Sequence, residues 1–353
     1  MNTIPCVELA PGYSISRVLK GGWQLAGGHG SVDEAAALKD MDRFVEAGVT
    51  TFDCADIYTG VEALIGKWLR RRKGSAGAAA DAGVQVHTKY VPDLDRLPSH
   101  SQADVVRGVD RSLARLGVER LDLVQLHWWD YDVPGYVEAA LWLDALRRAG
   151  KIRCLGLTNF DRQRLAEIVA GGAAITSHQV QYSVLDRRPA GGLAADCAEK
   201  GIGLLCYGAV AGGFLSERWL GAPDPTPPLE NRSLVKYRLI IEEFGGWDRF
   251  QEMLAALGRI ASRHQATIGA AAIRWVLDQP DVAGVIVGAR HSRHLEQIRK
   301  ACALALDDAD RREIARVQSA SRGPEGEVYG LERVKGGSHA SIMRYGLSRE
   351  EGS

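Results

Sequence analysis

Little in the sequence marks a membrane, nucleic-acid or metal protein. The six cysteines, Cys6, Cys54, Cys154, Cys197, Cys206 and Cys302, are dispersed and form no C-x-x-C pair, so neither a zinc site nor a redox dithiol is indicated. Scattered thiols in a chain of 353 residues fit a reducing compartment. Charge of one sign is also lacking: 44 basic side chains face 44 acidic ones, which argues against a chain built to coat nucleic acid or an anionic membrane. No apolar run approaches the roughly 20 residues of a membrane span. The N-terminal stretch has no charged region followed by an apolar one, as a secretory signal would. A cytoplasmic protein is expected, and the Asn231-Arg232-Ser233 sequon then reads as a chance match. Metal signatures are missing as well: there is no H-x-H after the first strand and no H-E-x-x-H, and His291 and His294 read as surface residues. No metal is expected.

A dinucleotide fingerprint of the G-x-G-x-x-G type is absent too. GGWQLAGGHG (21–30) and GAVAGG (208–213) have the wrong spacing. Gly66-Lys67-Trp68 is no phosphate loop, because Val61 stands where its first glycine would be and no Ser or Thr follows the lysine. An open, doubly wound nucleotide-binding sheet is therefore disfavoured.

What is present is a regular alternation. Strand-like runs cover 17–23, 50–53, 84–89, 121–127, 152–157, 176–181, 202–206 and 282–287. Helical patterns lie between them at 33–47, 61–72, 102–116, 134–149, 161–171, 191–200, 248–278 in two pieces, and 292–302. Several helices leave through a glycine, as at Leu116-Gly117 and Ala149-Gly150. Strict βα alternation implies parallel strands covered by helices, and near-continuous apolar strands imply burial on both faces. Eight such units predict an α/β fold, a closed (β/α)8 barrel of the TIM type forming a single domain over residues 1–320. Three stretches break the rhythm: a small-residue loop at 71–83, a long insertion at 212–246 after the seventh strand, and a polar tail over 321–353. The insertion is expected over the barrel mouth. The tail either covers the mouth or is disordered.

In such a barrel chemistry sits at the C-terminal ends of the strands. Asp53 and Tyr58 follow the second strand, Lys89 ends the third, and His127 ends the fourth. Each alone has an ordinary structural reading as a cap, a turn residue, a solvated charge or a hydrogen-bonded core group. Together on one rim they suggest proton chemistry.

These residues bring a resemblance into view. The D-x-A-x-x-Y run from Asp53 to Tyr58, with Lys89 and His127, resembles the catalytic tetrad of the aldo-keto reductase superfamily. The similarity runs on through GLTNF (156–160), QVQYSVLDRRP (179–189), LLCYGAVAGGFL (204–215) and GVIVGARHSRHLEQ (284–297), and spans residues 18–302. It implies an NAD(P)-dependent oxidoreductase that reduces an aldehyde or ketone, or runs the reverse reaction, with NADP(H) preferred and NAD(H) as the alternative. Carbonyl reduction needs a proton for an oxygen that becomes alkoxide-like. Tyr58 is expected to supply it, its pKa lowered by Lys89, with Asp53 holding the lysine and His127 donating to the carbonyl oxygen.

The resemblance also implies that Asn159 and Gln181 hold the carboxamide of the cofactor and that Tyr207 stacks on its ring. Backbone around Gly208, Val210 and Gly212 would approach the pyrophosphate, and Gly288 with Arg290 the adenosine phosphate. Arg293 is a second phosphate candidate, and a solvated charge at a helix start is the plain alternative for Arg290. Where the family often shows Glu-Asn, this chain has Glu296-Gln297, so Gln297 would meet the adenine. Trp23 and Trp128 are expected to wall a small-molecule substrate site, with Trp129 packed under a helix. Trp219, Tyr237 and Trp247 either close over the substrate or pack the insertion, and tail residues from Tyr329 to Arg333 would reach the mouth. The competing reading is a cofactor-binding regulator with little catalysis, as in the potassium-channel β-subunits that share the fold. Oligomeric state is not legible.

Overall fold

A computed structural model describes residues 4–76, 83–343 and 345. The chain opens with an antiparallel hairpin, β1 (Cys6–Ala10) and β2 (Tyr13–Ser16), which the alternation had not predicted. Eight parallel strands follow: β3 (Val18–Gly21), β4 (Thr51–Asp53), β5 (Gln85–Tyr90), β6 (Leu121–Leu126), β7 (Ile152–Thr158), β8 (Ile175–Gln181), β9 (Gly203–Tyr207) and β10 (Val282–Val287). They close in the order β10-β3-β4-β5-β6-β7-β8-β9, the (β/α)8 barrel expected. All eight predicted strands are present. β10 shows why an unbroken apolar run was the right signal: all six of its residues are buried, one face inside the barrel and one under helices.

The covering helices are α1 (Glu34–Glu46), α2 (Val61–Ala76), α3 (Gln102–Leu116), α4 (Tyr136–Arg148), α5 (Arg162–Ala170) and α6 (Leu193–Glu199). After β9 come α7 (Arg232–Phe244), α8 (Gly246–Arg263) and α9 (Ile268–Leu277), and after β10 come α10 (Leu295–Ala303) and α11 (Asp308–Ser319). Local signals set the boundaries. Ser101 and Asp104 form a reciprocal capping box at the start of α3. Gly117, in the left-handed conformation at φ 67°, ends the same helix where a side chain would be strained. The loop expected from residue 71 begins later, since α2 continues to Ala76, and residues 77–82 lie outside the described ones.

The hairpin closes the floor of the barrel. Leu9, Tyr13 and Ile15 pack on the inward side chains Leu19, Leu123, Leu205 and Ile286. Burying Ile15 completely contributes about 2 kcal/mol of hydrophobic stabilisation. The floor of the barrel is thus filled with apolar side chains. The insertion after β9 is not a bare loop: α7 lies within it, started by Asn231, whose side chain accepts a hydrogen bond from the Leu234 amide at 3.1 Å. The sequon asparagine is thus a helix cap. The tail forms two short helical turns, α12 (Gly330–Arg333) and α13 (Ser338–Ser341). It crosses the mouth, with Val328, Tyr329 and Glu332 buried. No described helix is long and apolar enough to cross a membrane.

Candidate active site

The polar centre is a layer built by alternate strands. Asp53 on β4, Gln125 on β6 and Gln179 on β8 point into the barrel at one level, as alternate strands do. Asp53 Oδ1 accepts from Gln125 Nε2 at 3.1 Å and from Gln179 Nε2 at 2.7 Å. Its other oxygen accepts from Lys89 Nζ at 2.7 Å, and the Cys54 carbonyl accepts a second lysine hydrogen at 2.9 Å. Burial works against the Lys89 ammonium, but Asp53 and then Tyr58 outweigh it and raise the lysine above its ordinary value. A buried pair of this kind adds little net stability, but losing one partner strands a charge at a cost of about 3–5 kcal/mol.

Tyr58 reaches this pair because the chain keeps pairing with β5 after β4 ends. The Cys54 amide donates to the His87 carbonyl and the Asp56 amide to the Lys89 carbonyl, before a turn closes from Tyr58 N to Ala55 O. The half-buried phenol then lies with its ring centre 5.2 Å from Lys89 Nζ and 5.1 Å from the ring of Trp23. Its acidity runs against expectation. Burial raises the Tyr58 pKa above the ordinary phenol value, and Lys89 offsets this only in part. Asp53, 2.7 Å from the ammonium, adds a smaller contribution in the same direction as burial. Tyr58 therefore holds its proton at neutral pH.

His127 follows β6, its amide bonded to the Tyr90 carbonyl at 3.0 Å. Burial, helped by the nearby Arg333 cation, pushes its pKa down to about 3, so the ring is neutral. Nδ1 lies 3.3 Å from the Thr158 carbonyl, which can only accept, so Nδ1 carries the hydrogen. Nε2, buried and without a partner among the described residues, is then an acceptor. The ring as it stands is set to receive a hydroxyl hydrogen, and donating to a carbonyl requires the other tautomer at the expense of the long Thr158 bond.

One cavity of about 730 Å³ is lined by Asp53, Tyr58, Lys89 and His127 and also by Trp23, Asn159, Tyr207, Gly208, Val210, Gly212, Gly288, Arg290, Arg293 and Gln297. Two expected residues are not on its wall. Trp128 is fully buried behind it, with Nε1 bonded to the Val133 carbonyl at 2.9 Å. Successive residues leaving a strand face opposite ways, so His127 and Trp129 face the cavity and Trp128 faces the helices. Trp129 sets its ring edge-on to His127 at 4.4 Å. Gln181 is likewise displaced: its Nε2 donates to Asp186 at 2.6 Å, while Gln179, two residues earlier, lines the cavity. Trp219 and Trp247 pack on each other and on Phe214, so they serve the insertion, whereas Tyr237 reaches the cavity.

Sequence reasoning missed Gln125 and Gln179, although their positions on predicted strands carried the signal. It also missed Lys236 and the tail residues Ile342 and Met343, which carried none. Asn159 adopts φ 63°, a conformation asparagine tolerates better than most, and its Oδ1 accepts from the Tyr207 hydroxyl at 2.8 Å. Further along, the backbone itself lines the groove. A Cβ on Gly212 would lie 2.7 Å from Tyr237 Cδ2 and 3.0 Å from the Ser233 carbonyl, and one on Gly288 would lie 2.0 Å from Gln24 Nε2. Arg232, Arg290 and Arg293 line the same groove. Arg290 is engaged by the carbonyls of His29 and Ser31, which leaves Arg293 the more available cation. Bare backbone beside several cations suits a long anionic ligand such as a nicotinamide dinucleotide. Among the described residues no group of three His, Cys, Asp or Glu side chains is placed to hold a metal.

A closed parallel barrel with a phenol, a lysine–aspartate pair and a histidine at its mouth defines a class of oxidoreductase. A sequence model of one family, described as "Aldo/keto reductase family", matches residues 17–319, and the chain belongs to that family. It is 31% identical over 264 residues to "Flagellar radial spoke protein 5" of Chlamydomonas reinhardtii, a match covering 64% of this chain and 49% of that protein, so about half of that relative's length. It is 26% identical to "Aldo-keto reductase YhdN" of Bacillus subtilis over 311 residues, covering 86% of this chain and 90% of the relative. In structure it is similar to the glycerol dehydrogenase AKR11B4 from Gluconobacter oxydans, with a TM-score of 0.76, 22% identity, and 92% and 98% of the two chains covered; this likeness concerns the fold.

Proposed function

We propose that the protein is an NADP(H)-dependent carbonyl reductase that interconverts an aldehyde or ketone and its alcohol, with Tyr58 as the general acid and base. The observation that carries this reading is the Lys89–Asp53 contact at 2.7 Å inside the cavity that Tyr58 and His127 line. When bound, the cofactor supplies or accepts the hydride. Tyr207 would stack on its ring, and Asn159 and Gln179 would hold its carboxamide; Gln179 takes the part first given to Gln181. The backbone at Gly208, Val210 and Gly212 would meet the pyrophosphate. Arg293, with Gly288 and Arg290 beside it, would meet the 2′-phosphate, which is why NADP(H) is preferred to NAD(H).

The protein's own part is proton handling. Tyr58 keeps its proton until an oxygen beside it gains negative charge, and Lys89 stabilises the phenolate that remains. Asp53, fixed by Gln125 and Gln179, keeps the lysine charged and in place. His127 orients the oxygen: its Nε2 accepts from an alcohol hydroxyl, and after tautomer exchange donates to a carbonyl. Trp23, Trp129 and Tyr329 enclose a small substrate and shield it from water.

The test is a panel of aldehydes, ketones and alcohols read by NADPH absorbance in both directions, with NADH in parallel and Tyr58→Phe as control. Turnover with wild type, its loss in Tyr58→Phe and retained NADPH binding are expected. Tight NADPH binding with no turnover on the panel would move the protein to a regulatory role.

A further inference from the structure

The substrate end of the cavity holds a cation that the proton chemistry does not use. Lys236 lies on α7, inside the insertion, and lines the cavity. Its Nζ stands 5.4 Å from the ring centre of Tyr329 and 5.2 Å from that of Tyr207. The same Tyr329 ring meets His127 edge-on at 5.4 Å. One aromatic ring thus separates the ammonium from the histidine that orients the reacting oxygen.

The charges around Lys236 leave room for an anion. Its ion-pair partner is Glu332, 3.3 Å away on the tail and fully buried. Glu332 is shared with Arg188 at 3.7 Å, and Arg188 grips Asp186 with two guanidinium nitrogens at 2.9 and 2.7 Å. Those four groups cancel. Arg333, next to them, donates only to the carbonyls of Trp128, Asn159 and Tyr329, and among the described residues no carboxylate pairs with it. Among these five groups the surplus positive charge is that of Arg333, beside the Lys236–Glu332 pair. An ammonium has three hydrogens, and the described residues supply no acceptor other than Glu332 for them. The other cavity cations are placed differently. Lys89 is committed to Asp53, and Arg290 to the carbonyls of the loop after β3.

We propose that Lys236 binds an acidic group on the substrate, so that the preferred substrates are aldehydes or ketones bearing a carboxylate about one ring's breadth from the carbonyl. A carboxylate fits better than a phosphate, because a single surplus charge matches one negative charge, and a dianion beside Glu332 would leave the second unpaired. This rests on the carbonyl-reductase reading and names its substrate class.

The test compares 4-carboxybenzaldehyde with methyl 4-formylbenzoate, which share ring and aldehyde and differ in charge. Wild type is expected to favour the acid in kcat/KM by about tenfold or more, the range of one charge-assisted hydrogen bond. Lys236→Met should bring that ratio to near one, and Lys236→Arg should restore most of it. A ratio near one in wild type, or a ratio unchanged in Lys236→Met, overturns the proposal. So does a tenfold weaker NADPH affinity in Lys236→Met with the acid preference intact, which would make the lysine a cofactor ligand. If neither aldehyde is reduced, the reductase reading is decided separately by turnover on the wider carbonyl panel. The anion site is then decided by quenching of tryptophan fluorescence, with tighter binding of the acid than of the ester supporting it and equal binding overturning it.

Discussion

Lys89 and Asp53 meet at 2.7 Å, and both are buried. Burial is the main reason that Tyr58 lies above the ordinary phenol value; Lys89 lowers it only in part, and Asp53 beside the lysine works against that lowering.

Removing the lysine should therefore cost more than acidity. Lys89→Met leaves Asp53 with only the two glutamine amides as partners, and strands its charge. A fall in kcat on the order of 10²–10⁴ is expected, together with a destabilisation of about 3 kcal/mol or more. Lys89→Met/Asp53→Asn should recover much of the stability and none of the turnover. Single-turnover kinetics and denaturant melts separate the two effects.

The pH dependence follows from buried imidazoles. His87 is pushed down to about 4, and His127 and His178 to about 3, in each case mainly by burial. Unfolded histidine takes up its proton near 6.5, so below that pH the unfolded chain binds more protons and stability falls as pH drops. Each group contributes up to roughly 1.4 kcal/mol per pH unit until its folded pKa is reached. Asp56, raised to about 8 mainly by burial, acts in the opposite sense between about 4 and 8, since the folded form then holds the extra proton. Three imidazoles outweigh one carboxyl. The melting temperature should fall from pH 6.5 to 4.5, and less steeply in His178→Gln.

The catalytic profile should differ from the stability profile. With His127 neutral and Tyr58 protonated through the neutral range, kcat/KM for carbonyl reduction should be flat from pH 6 to 8. It should fall only on the alkaline side, above the ordinary tyrosine value of about 10. A break near pH 6.5 in a stopped-flow profile would show that His127 titrates.

Gly212 sits at φ 65° with the Ser233 carbonyl where a side chain would start. Gly212→Ala should cost about 1–2 kcal/mol in stability and raise the Kd for NADPH by roughly tenfold, with a smaller effect on the chemical step. Fluorescence titration with NADPH and a thermal melt check both parts.

Arg333 fastens the tail over the mouth. Its guanidinium donates to the Trp128 carbonyl at 2.9 Å and the Asn159 carbonyl at 3.1 Å, and lies 4.0 Å over the Tyr131 ring. Arg333→Ala should raise KM for the carbonyl substrate by about tenfold or more while changing the Kd for NADPH much less. Hydrogen exchange at residues 328–343 should speed up in the variant.

The sequence by itself determined the barrel and most of the rim. Eight apolar runs with helical spacers admit few other folds, because strands buried on both faces must be parallel and covered. Chemistry at their C-terminal ends follows from that topology, so Asp53, Tyr58, Lys89 and His127 could be named from position alone. Facing was legible only where the strand period was applied. Trp128 and Gln181 were misplaced because a residue beside a site in the chain turns to the other side of the strand or bonds a different neighbour. The tertiary structure alone decided whatever depends on distant segments. The hairpin seals the floor, α7 delivers Lys236, and the tail delivers Tyr329, each from a stretch whose local pattern says nothing of where it will pack. The proton states were decided there too, since the charges of Tyr58 and His127 depend on how deeply they are buried and on which charges stand beside them.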